Sequence, residues 1–310
     1  MPFVVTNRVP VVLCLTIPPL FAVRRRVLSC PGRPLRASKR RERHQPVGRT
    51  KRMSSELSTQ TYFSLEVSEG VAVVEFSEGH RHNMWSMPRM RALTETVREL
   101  DDPDIRSVVL FSGVDRSFGV GGDFHETSTF RGGDEVDEWI DHITDLYIAC
   151  LQLNCPLVVA IDGFAIGIGL QIALTADYRV GSDRCVLKMP EFQVGIACTF
   201  GGYMLERTVG RSVMQQMLMS SGDWPATRSL QDKLLHDVVP VDRLLSAAVQ
   251  RARSFAAYPA AGFRSTKPYL NSGFIDGLEQ LRVIGKQAHR TAFAAGEAQR
   301  NMRQVIDGSR

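Results

Sequence analysis

Leu157-Val158-Val159-Ala160-Ile161-Asp162-Gly163-Phe164-Ala165-Ile166-Gly167-Ile168-Gly169 decides how the fold is read. The apolar run after Pro156 reads as a strand buried on both faces, the habit of parallel sheets. In the segment after it, glycine lets backbone amides approach a ligand closely. A helix opening at Gly167 would aim its unpaired N–H groups at an anion. A second glycine-rich turn, Phe118-Gly119-Val120-Gly121-Gly122-Asp123-Phe124, follows the short β-branched run Ser107 to Phe111 and its Ser112-Gly113 turn. Each alone reads as a tight turn. Two at adjacent strand ends could present one amide each to a single developing oxyanion.

Working outward, Tyr62–Val67 and Val71–Phe76 alternate apolar and polar residues on either side of Ser68-Glu69-Gly70, which predicts a hairpin. Met90, Leu93, Val97 and Leu100 predict an amphipathic helix begun by Pro88 and stopped by Asp101-Asp102-Pro103. Strand, helix, strand implies a right-handed crossover and a parallel sheet. Val136, Trp139, Ile140, Ile143, Tyr147 and Leu151 form a second helical stripe, whose spacing alone makes Trp139 a core residue. Tyr178–Val180 and Val186–Leu187 are weaker strands, and beyond Thr199 the chain reads as helix, including Val241–Ala257 and Ile275–Ala295. The body is α/β first and helical last, without solenoid repeats.

The chain has 310 residues, 44% hydrophobic and 23% charged, with a formal charge of +5, which excludes disorder throughout. The excess charge is local: residues 1–52 carry 13 Lys and Arg against one acidic residue, Glu42, so the rest is net acidic. The apolar stretch Val9–Val23, interrupted by Pro10, Pro18 and Pro19, is shorter than the roughly 20 residues a membrane span needs. Its charges, Arg24 to Arg26, follow it where a secretory signal puts them first. Residues 1–52 are therefore expected to be a disordered basic extension, with Met53 a candidate true start and a nucleic-acid-binding arm the alternative. The α/β core is assigned to 53–255 and a C-terminal helical region to 256–310. Cys14, Cys30, Cys150, Cys155, Cys185 and Cys198 match no zinc or small disulfide pattern, so reduced thiols in a cytoplasmic protein are expected.

No GxxxxGK[ST], GxSxG or HExxH motif occurs, and Gly167-x-Gly169 lacks the third small residue of a dinucleotide fingerprint at Ile172. Nucleotide hydrolysis, serine esterase and zinc protease chemistry fall away. Met189-Pro190-Glu191 places an acid in an apolar context, where partial desolvation tunes a carboxylate toward proton transfer near neutral pH. Read alone, Glu191 is an exposed loop glutamate.

In order along the chain, His82-Asn83, Ser117-Phe118-x-x-Gly121-Gly122-Asp123, Asp162-Gly163-Phe164-Ala165-x-Gly167-x-Gly169, Ala176-Asp177-Tyr178-Arg179 and Met189-Pro190-Glu191 resemble the crotonase (enoyl-CoA hydratase/isomerase) superfamily, from about Tyr62 to Asp307. The resemblance implies an α/β fold, a spiral of ββα units with a C-terminal helical oligomerisation region, assembled as a homotrimer or dimer of trimers. It also implies a CoA thioester whose oxygen is held by the backbone N–H groups of Gly122 and Ile168. Hydration in this superfamily generally uses two glutamates. Here Gln171 stands at the first position and Glu191 at the second, and Gln is no general acid, so simple hydration is disfavoured.

Arg116-Ser117-Phe118-x-x-Gly121-Gly122-Asp123-Phe124-x-Glu126, Glu138-Trp139-Ile140-Asp141, Ala165-Ile166-Gly167-x-Gly169-x-Gln171, Ala257-Tyr258-Pro259-Ala260 and Lys286-x-x-His289 are similar, more narrowly, to the carboxymethylproline synthases of carbapenem biosynthesis. That resemblance implies decarboxylation of malonyl-CoA, addition of the enolate to pyrroline-5-carboxylate (glutamate semialdehyde) and hydrolysis of the thioester. It needs no cofactor, no nucleic acid and no membrane. It makes Gly122, Ile168 and Glu191 catalytic, and Gln171, Trp139, His289 and Lys267 substrate-binding, with Lys267 meeting a CoA phosphate. Two rivals share these motifs: a crotonase-type decarboxylase or dehydratase of polyketide acyl thioesters, and an RNA-binding protein on a crotonase fold.

Overall fold

The computed structural model describes residues 62–76 and 82–308; the expectations for 1–52 lie outside them. Strands β1 (Phe63–Ser68) and β2 (Val71–Phe76) pair antiparallel as the alternation predicts. Glu69 and Gly70 between them both take positive φ, 53° and 76°, the signature of a two-residue primed turn. Helix α1 (Met87–Glu99) then crosses to β3 (Ser107–Ser112), which lies parallel to β2.

From here each unit contributes two strands followed by one or two helices. β3 is followed by β4 (Ser117–Val120), the short helix α2 (Phe124–Thr127) and the long α3 (Asp134–Gln152). Then come β5 (Leu157–Ile161), β6 (Phe164–Ile166) and α4 (Ile168–Leu174), and after them β7 (Tyr178–Ser182), β8 (Val186–Lys188) and α5 (Glu191–Val194). The first strand of each pair joins a six-stranded sheet of order β1-β2-β3-β5-β7-β10, the second a four-stranded sheet of order β4-β6-β8-β9. This is the expected spiral of ββα units. The chain continues through α6 (Thr199–Ser220), β9 (Trp224–Pro225), α7 (Ala226–Gln231), β10 (Asp237–Val239), α8 (Leu244–Ala256), α9 (Ala260–Ala294) and α10 (Glu297–Ile306).

Alternate residues of the central strands face two different cores. Val109, Val158, Ala160 and Val180 pack on Leu244, Ala248 and Ala252 of α8. Val108, Leu110, Leu157, Val159 and Ile161 face the second sheet with α1, α3 and α4. Covering on both faces explains why β5 is uniformly apolar. The glycine-rich segments hold strands as well as turns, a correction to the turn-only reading. β4 and β6 run parallel inside them, and at Gly169 a side chain would overlap the carbonyl of Gly119 on β4, so α4 packs there only as glycine.

The helical end holds one further departure. Helix α9 begins 15 residues before the Ile275 expected, and the division expected at 255/256 falls one residue inside the end of α8. Its exposed side is tied to α3 by ion pairs of Arg282 with Asp141 and Asp145, Lys286 with Asp141, and Arg290 with Asp134 and Asp137. Among the described residues no helix is long and apolar enough to cross a membrane.

Candidate active site

Parallel strands β4 and β6 end side by side, so the two glycine turns meet at one edge of the small sheet. Three flanking amides are consumed. Gly121 N–H donates to Ile166 O at 2.8 Å, Asp123 N–H to Trp85 O at 3.1 Å and Gly167 N–H to Lys188 O at 3.0 Å. The N–H groups of Gly122 and Ile168 between them have no backbone acceptor among the described residues. They are also close: a Cβ at Gly122 would sit 3.6 Å from Ile168 Cδ1 and 3.5 Å from Trp139 Cζ2. Two free donors beside one apolar wall form a ready hole for a developing oxyanion.

Both turns open into a cavity of about 580 Å³, within the range of small-molecule sites. Glu191, first residue of α5, projects into it opposite Gly167. There φ is 53°, and a Cβ would lie 3.2 Å from Glu191 Oε1, so glycine both permits the turn and makes room for the carboxylate. The residue is 7% exposed, which corrects the loop-glutamate reading. Burial pushes its pKa from 4.5 up to about 7, against smaller opposing effects of hydrogen bonds that include those from Cys198 and Gln171. Gln171 Nε2 donates to Glu191 Oε1 at 3.0 Å, and Glu191 Oε2 is buried without a partner. A carboxyl that titrates near neutrality, with one oxygen held and the other unengaged, suits a general base.

The remaining residues expected here are placed as follows. Trp139 lines the cavity with a buried indole N–H that lacks a hydrogen-bond partner, and its ring meets His289 edge-on at 5.5 Å. His289 also lines the cavity, but Nδ1 faces Gly285 O at 2.8 Å, the backbone of Ala197 provides a further contact, and burial lowers its pKa. It therefore presents a neutral ring edge. Gln171 lies in the wall with its carbonyl accepting from Tyr147 and its amide turned to Glu191 and, at 3.5 Å, Met189 Sδ; its polar atoms are engaged by the protein.

Lys267 is a correction. Its Nζ is buried between Asp177 Oδ2 at 2.6 Å and Cys155 O at 3.1 Å, and the side chain does not line the cavity. An ammonium spent on a carboxylate inside the fold is not available to a phosphate. Asp177 also receives Leu157 N–H at 2.7 Å, so the Ala176-Asp177-Tyr178-Arg179 block anchors β5 and α9.

Sequence reasoning missed Tyr147 and Cys198 as neighbours of Glu191. The first is hidden inside a helical stripe. The second follows α5 at a spacing that carries no signal. Of the other thiols, Cys150, Cys155 and Cys185 are buried and free, and burial holds their pKa values up at about 11, 12 and 12.

Residues 66–306 match the family model described as enoyl-CoA hydratase/isomerase. The chain belongs to that family. Among its members, a carboxymethylproline synthase of Pectobacterium carotovorum subsp. carotovorum is 36% identical over 242 residues, 78% of this chain and 97% of that protein. The solved structure of ThnE from S. clavuligerus is 46% identical, with a TM-score of 0.61 over 71% of this chain and 97% of that one. Human mitochondrial delta3-delta2-enoyl-CoA isomerase, at 24% identity and a TM-score of 0.75 over 80% of this chain and 98% of that one, shares the fold. The enoyl-CoA hydratase/isomerase fold thus accounts for both sheets and the C-terminal helices.

Proposed function

We propose that this family member is a carboxymethylproline synthase that decarboxylates malonyl-CoA, adds the enolate to pyrroline-5-carboxylate and hydrolyses the resulting thioester. The observation that carries the reading is a single carboxylate beside two free amides: among the described residues Glu191 is the one carboxylate lining the cavity, and the position of a second acid is held by Gln171. The relative named carboxymethylproline synthase supports it.

Loss of CO₂ from the malonyl group leaves its bonding pair in the enolate, with negative charge on the thioester oxygen. The N–H groups of Gly122 and Ile168 would receive that oxygen, each donor being worth about 3 to 4 kcal/mol at such a site. No proton moves in this step. The enolate carbon then attacks the imine carbon of the protonated pyrroline, whose nitrogen takes the electron pair and becomes the ring amine. Trp139 and His289, which line the cavity, would wall the acceptor there.

Hydrolysis is the step that needs a base. Ionised Glu191 accepts a proton from water through its unengaged Oε2 as the water adds to the thioester carbon. The same two amides hold the tetrahedral oxyanion, and the CoA thiolate departs and takes up the proton. Mass analysis of products from malonyl-CoA, with and without pyrroline-5-carboxylate, tests the assignment. Free carboxymethylproline formed only with the acceptor supports it. Acetyl-CoA alone in both reactions points to a decarboxylase of other acyl thioesters, and no turnover of malonyl-CoA rejects it.

A further inference from the structure

We infer that Tyr147 is a positioning residue: its hydroxyl fixes which end of the Gln171 amide faces Glu191, keeping a donor on one carboxylate oxygen and leaving the other for the reacting water. The role of that water rests on the function proposed above; the positioning itself does not.

Tyr147 lies on α3, and its ring is fully buried beside Phe200. Its hydroxyl has one proton to place, and Gln171 Oε1 stands 2.7 Å away. The hydroxyl therefore donates to the amide oxygen, and Gln171 Nε2 is left pointing at Glu191 Oε1, 3.0 Å off. The opposite orientation would set the amide oxygen against a carboxylate oxygen and strand the phenolic proton. It becomes tolerable only when Glu191 is protonated and can itself donate to Oε1. Tyr147 thus favours ionised Glu191 through an intervening amide, without touching the carboxylate.

One other group facing this carboxylate acts in the same sense, but independently of Tyr147. The Cys198 thiol, kept neutral because burial raises it, also hydrogen-bonds to Glu191 and favours its ionised form, while Cys150, likewise neutral, lies near Tyr147 on α3. Lys188 on β8 is paired with Asp223 at 3.0 Å, while His289 on α9 is held by backbone carbonyl and His82 stands elsewhere in the wall.

The test needs no substrate. Infrared difference spectra follow the Glu191 carboxyl band as pH rises in the full chain, with Glu191→Gln as the blank. Parent, Tyr147→Phe, Gln171→Leu and the double variant are compared, each checked for native near-ultraviolet dichroism. The parent band should vanish around the pKa of about 7. Tyr147→Phe should raise that midpoint by up to about one unit, the scale of one net hydrogen bond. Gln171→Leu should move it at least as far, and adding Tyr147→Phe to Gln171→Leu should move it no further. An unmoved midpoint in folded Tyr147→Phe, or an equal displacement in the Gln171→Leu background, overturns the inference. Should Tyr147→Phe not fold, an unmoved midpoint in Gln171→Leu overturns it equally. Failure of the malonyl-CoA assay would leave these titrations standing.

Discussion

Gln171 Nε2 donates to Glu191 Oε1 at 3.0 Å, and the buried Oε2 of the same carboxyl has no hydrogen-bond partner. Burial outweighs the hydrogen bonds donated by Gln171 and Cys198, so the folded state favours the protonated acid up to about pH 7. Thioester hydrolysis, which uses the ionised form, should therefore rise with pH through about 7, and a pH profile of product release checks it.

The same shift bears on stability with the opposite sense. A carboxyl whose folded pKa lies above its ordinary 4.5 contributes stability that is complete below that value and is lost as pH rises through about 7. Glu191→Gln removes the loss. Thermal unfolding should show the variant gaining over the parent at pH values above 8, by up to about 3 kcal/mol, with little difference below 4.5. Equal gains at both ends would mean that the effect is not the carboxylate's charge.

Ile168 is assigned a role through its backbone N–H at the first position of α4, where proline is sterically tolerated. Ile168→Pro should abolish decarboxylation while Ile168→Val retains most of it, because only the first deletes the donor. Circular dichroism identifies a folded Pro variant. Full activity in that variant would remove the amide from the mechanism.

Lys267→Met should lower stability by about 2 kcal/mol, since it leaves Asp177, a partly exposed partner, without its cation. KM for the acyl-CoA should stay unchanged. A several-fold rise in KM without loss of stability would restore Lys267 to the substrate site.

Both sheets and the cavity are built from residue 62 onward. A chain starting at Met53 should match the full chain in soluble yield and turnover. A steep, salt-sensitive RNA affinity confined to the full chain would instead give residues 1–52 a binding role.

Where sequence reasoning succeeded, the signal was local. β5 ends and begins where its apolar run does, and α3 follows the stripe from Val136 to Leu151. β4 and β6 escaped because they are four and three residues long, flanked by the glycines of the turns, and defined only by pairing with each other and with β8. The first half of α9 carries Gly262, Pro268 and Gly273, poor helix formers overridden by tertiary contacts such as Asn271 Nδ2 to Leu151 O at 2.9 Å. At the site, the convergence of Gly122, Ile168 and Glu191 on one cavity was legible from motif order. The relay through Tyr147 was not, because the pattern that places its ring in the core is silent on where its hydroxyl points. Lys267 was misjudged for a related reason: a lysine in sequence does not reveal the aspartate that it meets in space.

The central claim is that decarboxylation needs only the two amides, whereas hydrolysis needs Glu191. Liquid chromatography with mass detection of malonyl-CoA, acetyl-CoA, the carboxymethylprolyl thioester and the free amino acid, run on folded Glu191→Ala beside the parent, separates the steps. Free carboxymethylproline should fall by about 10²-fold or more, the usual range for one general base, while acetyl-CoA or the carboxymethylprolyl thioester still forms. Undiminished release of the free amino acid from the variant would contradict the account.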